Sequence, residues 1–319
     1  MMESNSSSPN WERSLLEKVA LQIFEEQRRA RRWGIFFKLL TFSFLFLVLL
    51  SLLGWLGGKH DGATGGKHTA LIDLKGVISA DSRASADKII DALQQAFKDR
   101  NTQGVVLRIN SPGGSPVQAG YINDEIRRLR AKHPDIPLHV VVQDICASGG
   151  YYIAVAGDKI FVDKASLIGS IGVLMDGFGF TGAMEKLGVE RRLITAGENK
   201  GFLDPFSPQN AQHQEFARTM VGEIHQQFIN VVKQGRGKRL KETPDMFSGL
   251  VWTGEKSIEL GLADQLGSLE SVAREVIKAE HVVDFTPDEN LAEQLAKRLG
   301  SAGVESLFNW LLQTRSPIR

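Results

Sequence analysis

Residues 140–155 read VVVQDICASGGYYIAV, and the fold of the chain turns on them. Val140, Val141 and Val142 form a short β-branched apolar run, the pattern of a buried strand. Residues 143–147 are expected to turn, and Ser148-Gly149-Gly150 opens a second apolar segment, read as a helix over 148–156. A strand that turns sharply into a helix puts the Ser148 hydroxyl at a helix N-terminus. There the backbone N–H groups lack intrahelical partners and face any oxyanion that forms. The small neighbours Ala147, Gly149 and Gly150 let a substrate backbone come close. Two readings of Ser148 follow: a helix N-cap, which serine favours, or a nucleophile beside an oxyanion site. The rest of the chain has to decide between them.

With 319 residues, 42% of them hydrophobic, the chain is long enough to bury one or two substantial cores. A formal net charge of +1 and the lack of a basic–aromatic patch speak against a nucleic-acid partner. The single cysteine, Cys146, excludes an intrachain disulfide and a multi-cysteine metal site. At the end of an apolar strand it reads as a buried structural thiol rather than a second nucleophile.

Upstream, residues 1–10 are rich in Ser and Asn and are expected to be disordered. Residues 11–32 have a helical pattern, with Leu15, Val19 and Ile23 at four-residue steps among charges; such a helix lies on a membrane or pairs with a copy of itself. Residues 39–56, LLTFSFLFLVLLSLLGWL, carry no charge. As a helix they extend about 27 Å, close to the ~30 Å hydrocarbon core of a bilayer. Trp33 and Trp55 stand near the ends as interfacial aromatics do, and Arg28, Arg29, Arg31, Arg32 and Lys38 precede the run. The positive-inside rule then keeps residues 1–38 in the cytoplasm and sends the rest across. A cleaved signal peptide is the rival reading; the long apolar run and the lack of a small-x-small cleavage site favour an uncleaved anchor.

Residues 57–68 form a glycine-rich tether. A globular domain over 69–286 follows, with strands at 69–74, 104–109, 138–142 and 159–162 alternating with helices at 86–98, 117–131 and 148–156. Ile122, Ile126 and Leu129 face inward, and longer helices are expected at 208–233 and 269–279. Strand–helix alternation of this kind predicts an α/β domain with a largely parallel sheet. The tail, 287–319, has an apolar patch at Leu307, Trp310 and Leu311 that docks on the body or on a neighbouring subunit.

Three other stretches bear on Ser148. INSPGG at 109–114 follows a buried strand, and a Pro-Gly-Gly turn there can aim backbone N–H groups into a ligand crevice. It lacks the lysine and hydroxyl of a phosphate-binding loop. SLIGSIGV at 166–173 holds Ser170 among small and aliphatic residues, and TAGENKGFLDPF at 195–206 holds Lys200 in a turn-prone segment. A lysine acts as a general base only when its surroundings keep it neutral, and no partner for Lys200 is visible in the local sequence. The seven histidines are scattered without catalytic context, and no group of residues has metal-ligand spacing.

The run from TALIDLKGVI through LRINSPGGSPVQA and ASGGYYIAVAGDKIFVDKASLIGSIGV to AGENKGFLDPF resembles the signal peptide peptidase A (protease IV) family over residues 69–279, in its membrane-anchored, single-repeat form. The resemblance implies a crotonase-like, Clp protease-like ββα superhelix and a serine–lysine peptidase. It implies Ser148 as nucleophile, Lys200 as general base and Ser170 as the residue orienting that lysine. The oxyanion donors it implies are Gly149 and the pair Gly113-Gly114, with Gly114 favoured over Gly113. No metal or cofactor is implied. The implied partners are peptide substrates such as cleaved signal peptides, the membrane, and further copies of the chain in a ring, an octamer, whose sites are shared between adjacent protomers. The implied location is the bacterial cytoplasmic membrane, single-pass, with the catalytic domain on its outer side. Ile145, Leu174 and Tyr151 are candidates for an apolar specificity pocket. Two other classes stay open: an acyl-CoA hydratase or isomerase on the same fold, and a membrane-tethered scaffold.

Overall fold

The structure, a computed structural model, describes residues 10–52 and 66–287. The expectations for residues 1–9, for 53–56 with Trp55, for most of the tether and for the tail beyond 287 with Leu307, Trp310 and Leu311 lie outside the described residues. The described residues fall into two units, 10–52 and 66–287.

The first unit is one continuous helix, α1 (Asn10–Leu52), which fuses the two segments read separately from sequence. Within residues 27–50 of it, an 18-residue window has a mean hydropathy of 2.2 and buries nothing, so the helix is long and apolar enough to cross a membrane.

The second unit is a mixed α/β domain. Its chain runs β1 (His68–Lys75), α2 (Ala86–Lys98), β2 (Thr102–Ser111), α3 (Pro116–Lys132), β3 (Leu138–Ala147) and α4 (Gly149–Ala154). It continues through β4 (Lys159–Val162), β5 (Leu167–Gly169), α5 (Thr181–Lys186), α6 (Ala211–Arg236), β6 (Val251–Thr253), α7 (Gly254–Glu259), β7 (Gln265–Leu266), α8 (Leu269–Ser271) and β8 (Val282–Asp284). The sheet path is β6-β5-β3-β2-β1-β8, parallel except for the antiparallel β5/β6 pair. Parallel strands need crossovers, which α2 and α3 supply; they carry Ile89, Ala92, Leu93 and Ala96, and Ile122, Ile126 and Leu129, as buried stripes. Ser115 caps α3 by accepting from the Gln118 N–H (3.4 Å), with Pro116 at the first helical position.

β3 is where the sheet divides. Its first half pairs with β4 (Val140↔Ile160), and its second half pairs with β5 (Ala147↔Gly169). The turn expected at 143–147 is therefore absent: strand pairing with β5 keeps the chain extended to Ala147 despite the polar Gln143-Asp144. The helix expected at 269–279 is likewise cut short: α8 passes into a π-helical stretch (Val272–Ile277) that ends at Lys278 in a left-handed conformation (φ 63°). The fully buried Arg236 ties α6 to the chain after α7. It donates to both carboxylate oxygens of Asp264 (2.8 and 2.9 Å) and to the Gly261 carbonyl (2.7 Å). Burial pushes the Asp264 pKa up, but the bonds from Arg236 outweigh it and hold this carboxyl below its ordinary value.

Candidate active site

Ser148 occupies the single residue between β3 and α4, at φ 51° and ψ −123°. A non-glycine residue there stores roughly 1–3 kcal/mol of strain and persists only where its surroundings fix it. Three contacts do so. The Ser148 N–H donates to the Gly169 carbonyl (2.9 Å), the Ser148 carbonyl accepts from the Tyr152 N–H (2.9 Å), and the backbone at Gly113 lies against the serine. A Cβ on Gly113 would come within 2.7 Å of the Ser148 Cβ, so only glycine fits. The Ser148 hydroxyl is half-buried and makes no capping bond, which removes the N-cap reading. Among the described residues it has no hydrogen-bond partner at all. The N–H groups of Gly149 and Gly150, in the first turn of α4, are also without acceptors.

The turn after β2 supplies the facing wall, and its hydrogen bonds separate the two glycines. The Gly113 N–H donates to Ser111 Oγ (3.1 Å), while its carbonyl accepts from the Ile78 N–H (2.8 Å). The Gly114 N–H has no acceptor among the described residues, although its neighbour Ser115 donates to the Ile78 carbonyl (2.8 Å). Gly114 holds φ 149°, and a Cβ there would collide with the Ile78 carbonyl. Its nitrogen lies against the Gly149 backbone, 3.3 Å from where a Gly149 Cβ would be. The backbones of Gly114 and Gly149 thus meet beside Ser148. Ser111, which the sequence reading passed over, is the pin: fully buried, its hydroxyl donates to the Gly76 carbonyl (2.6 Å) while accepting from Gly113.

Ser170 comes to the same place. The pairing of Ala147 with Gly169 sets Ser148 and Ser170 as successive residues of adjacent strands, and Ser170 also has a positive φ, 49°. Its N–H donates to the Leu250 carbonyl (2.7 Å), and the next carbonyl, of Ile171, meets His225 Nε2 of α6 at 3.1 Å.

Lys200 does not. No hydrogen bond or ion pair joins its side chain to Ser148, Ser170 or any other described residue, and it is exposed. It belongs to a stretch, residues 172–227, in which no residue is buried. Leu174, Phe178, Leu187 and Ile194 there are 80%, 79%, 77% and 95% exposed. The Lys200 turn is steadied by its neighbours: Asn199 Oδ1 meets His213 Nε2 at 3.2 Å, and Phe202 packs on His213 and Phe216. The Ser207 hydroxyl donates to Asp204 (2.6 Å) and, with Arg191, holds that carboxyl below its ordinary value. Between residues 173–210 and α6 runs a cleft of about 1010 Å³ that includes Leu174, Leu203, His213 and His225.

Of the proposed apolar pocket, Ile145 is half-buried and Leu174 exposed, but Tyr151 is a correction. It is fully buried with its hydroxyl donating to the Leu262 carbonyl (2.8 Å), because the first turn of α4 points it into the core. Cys146 is fully buried, and burial pushes its thiol pKa far up, as a structural thiol requires. Among the described residues no group of His, Cys, Asp or Glu is placed to hold a metal ion.

Residues 130–283 match the family model "Peptidase family S49". The chain is 48% identical over 182 residues to a protein of Brucella melitensis named Na(+)/H(+) antiporter NhaA; the match covers 57% of this chain and 25% of that one. Three quarters of that protein lie outside the match, so its name carries no transport activity here. The chain is 31% identical to a putative signal peptide peptidase SppA of Enterococcus faecium over 61% of this chain and 56% of that one. It is 29% identical to a putative protease of Methanocaldococcus jannaschii over 77% and 85% respectively. It thus spans about a quarter of the Brucella relative and just over half of the Enterococcus one. ASGG and SLIGSIGV both lie inside the matched residues, so the stretch that carries Ser148 and Ser170 is similar to peptidases of family S49.

Proposed function

We propose that the chain is a membrane-anchored serine endopeptidase in which Ser148 attacks the scissile carbonyl and Lys200 acts as general base. The observation that carries the reading is the Ser148 hydroxyl, without a partner on a strained turn, beside the free N–H groups of Gly114 and Gly149. A serine spent as a cap or in a core network does not have this geometry. As the hydroxyl attacks, its proton passes to neutral Lys200 and negative charge develops on the carbonyl oxygen. Gly114 and Gly149 donate to that oxygen, each donor being worth about 2.7–4 kcal/mol. Gly113 stays out of the hole because its N–H is held by Ser111. Lys200 then protonates the leaving amine, and water hydrolyses the acyl-enzyme.

The base comes from the neighbouring subunit. In one chain Lys200 is exposed and unbonded, while the apolar side chains around it ask for a covering surface. A second copy docked there brings Lys200 to the first copy's Ser148 and Ser170, removes it from water and favours its neutral form. Repeated head to tail, that contact closes a ring, an octamer in this reading. α1 anchors the ring in the bacterial cytoplasmic membrane with residues 1–38 inside and the catalytic domain outside. The substrates are short or unfolded segments, cleaved signal peptides among them.

The test is covalent labelling of the detergent-solubilised full chain with a fluorophosphonate, alongside hydrolysis of a fluorogenic peptide. Wild type is expected to be labelled on Ser148 and to cleave, and Ser148→Ala to do neither. A chain that binds an acyl thioester and leaves Ser148 unlabelled would establish the hydratase reading instead.

A further inference from the structure

A cavity of about 350 Å³ behind the serine helix takes no part in the proposed chemistry. It opens past the C-terminal end of α4 and is bordered by Arg127 and Arg130 of α3, by Gly157 and Asp158, by Gly235 of α6, and by Arg239. Three guanidinium groups therefore face one carboxylate. Two of the three are occupied. Arg130 donates to the Ala156 carbonyl (2.5 Å) and pairs with Asp158. Arg239 donates to the carbonyls of Gly235 (2.6 Å), Asp158 (2.9 Å) and Arg236 (3.1 Å), and to Asp264 (3.2 Å). The second oxygen of Asp158 is taken by the Leu138 N–H (2.8 Å).

Arg127 is different. Its Nε and Nη2 are buried, and no acceptor meets them among the described residues. Buried donors of a cation left unpaired are costly, and the acceptor that relieves them best carries negative charge. Among the described residues no carboxylate pairs with it. We propose that this cavity binds a small oxyanion, a phosphate group, toward which the Arg127 side chain turns its unpaired Nε and Nη2 and which shares its charge with Arg130 and Arg239. The planar guanidinium suits a two-oxygen contact of this kind.

The test is thermal unfolding of the full chain in phosphate-free buffer, titrated with inorganic phosphate at constant ionic strength. Wild type is expected to show a saturable rise of a few degrees. Arg127→Gln is expected to abolish that rise while unfolding no lower than wild type when phosphate is absent, because it removes donors that hold nothing. Arg127→Lys keeps the charge but loses the fork, and is expected to raise the half-saturating concentration several-fold. The same titration in phosphatidylcholine nanodiscs with and without phosphatidylglycerol separates the sources: a rise with the lipid assigns the phosphate to a headgroup, and a rise with the ion alone assigns it to solution. An equal, non-saturating rise in wild type and Arg127→Gln, the general effect of a kosmotropic salt, would overturn the proposal. So would Arg127→Gln unfolding well below wild type without phosphate.

Discussion

Ser148 and Lys200 stand in contrasting parts of one domain. The serine follows a strand whose pairing, on both edges, is with buried neighbours, and its strained turn is held by Gly169, Tyr152 and Gly113. The lysine lies in a stretch where no residue from 172 to 227 is buried, with Ile194 almost wholly exposed. In the function proposed above, the nucleophile half of the site is complete within one chain and the base half is displayed to a neighbouring copy. A buried half is set by packing and tolerates little change, whereas an exposed half acquires its function on contact.

The contrast can be broken at several points, and the largest effect belongs to the nucleophile. Ser148→Ala is expected to lower kcat by about 10⁴-fold or more while leaving the melting temperature unchanged or raised, since alanine removes a hydroxyl that bonds to nothing. A melting temperature several degrees lower would mean that the hydroxyl is structural. Gly114→Ala is expected to cost both properties. Its Cβ meets the Ile78 carbonyl at φ 149°, so the turn must shift, and losing one oxyanion donor alone costs about 10²–10³ in kcat.

On stability, Arg236→Met is expected to destabilise the domain by about 3 kcal/mol, measured by urea unfolding, because it leaves the half-buried Asp264 with only the longer contact from Arg239 (3.2 Å). Ile194→Ser is expected to change stability by less than about 0.5 kcal/mol, yet to shift sedimentation toward smaller species and reduce activity with it. If Ile194→Ser instead destabilises the fold and leaves assembly intact, the exposed stretch is not the contact.

A smaller effect follows from Asp264. Its folded pKa lies below the unfolded one, so the stability it contributes is fully present above the unfolded value and is lost as pH falls through the folded value. Wild type is therefore expected to lose stability in acid more steeply than a doubly substituted Arg236→Met/Asp264→Leu chain, which lacks that group.

Much of the buried half was legible in the sequence. The valine run, the ASGG turn and the inward stripe of α3 follow from periodicity and helix-end chemistry, and the ends of α2 and β4 fall where expected. β5 was not legible, because three residues inside SLIGSIGV have no period to read; only its pairing with the end of β3 makes them a strand and sets Ser170 beside Ser148. Tyr151 was misplaced because composition near a site does not say which face of a short helix an aromatic takes. That the Gly113 N–H is occupied was not legible either, because its bond to Ser111 is a contact two residues apart that no motif spells out. The surroundings of Lys200 were illegible for a deeper reason: among the described residues its side chain has no hydrogen-bond or ion-pair partner to read.

The most direct test is complementation between Ser148→Ala and Lys200→Ala, purified singly and after co-expression, with a fluorogenic peptide as substrate. Both single variants are expected to be inactive. A statistical mixture in a head-to-tail ring is expected to recover about a quarter of wild-type activity, since each working site needs an intact serine from one subunit and an intact lysine from the next. An inactive mixture of verified hetero-oligomers would place both residues of the dyad in one chain and contradict the shared site; an active Lys200→Ala would remove that lysine as the base.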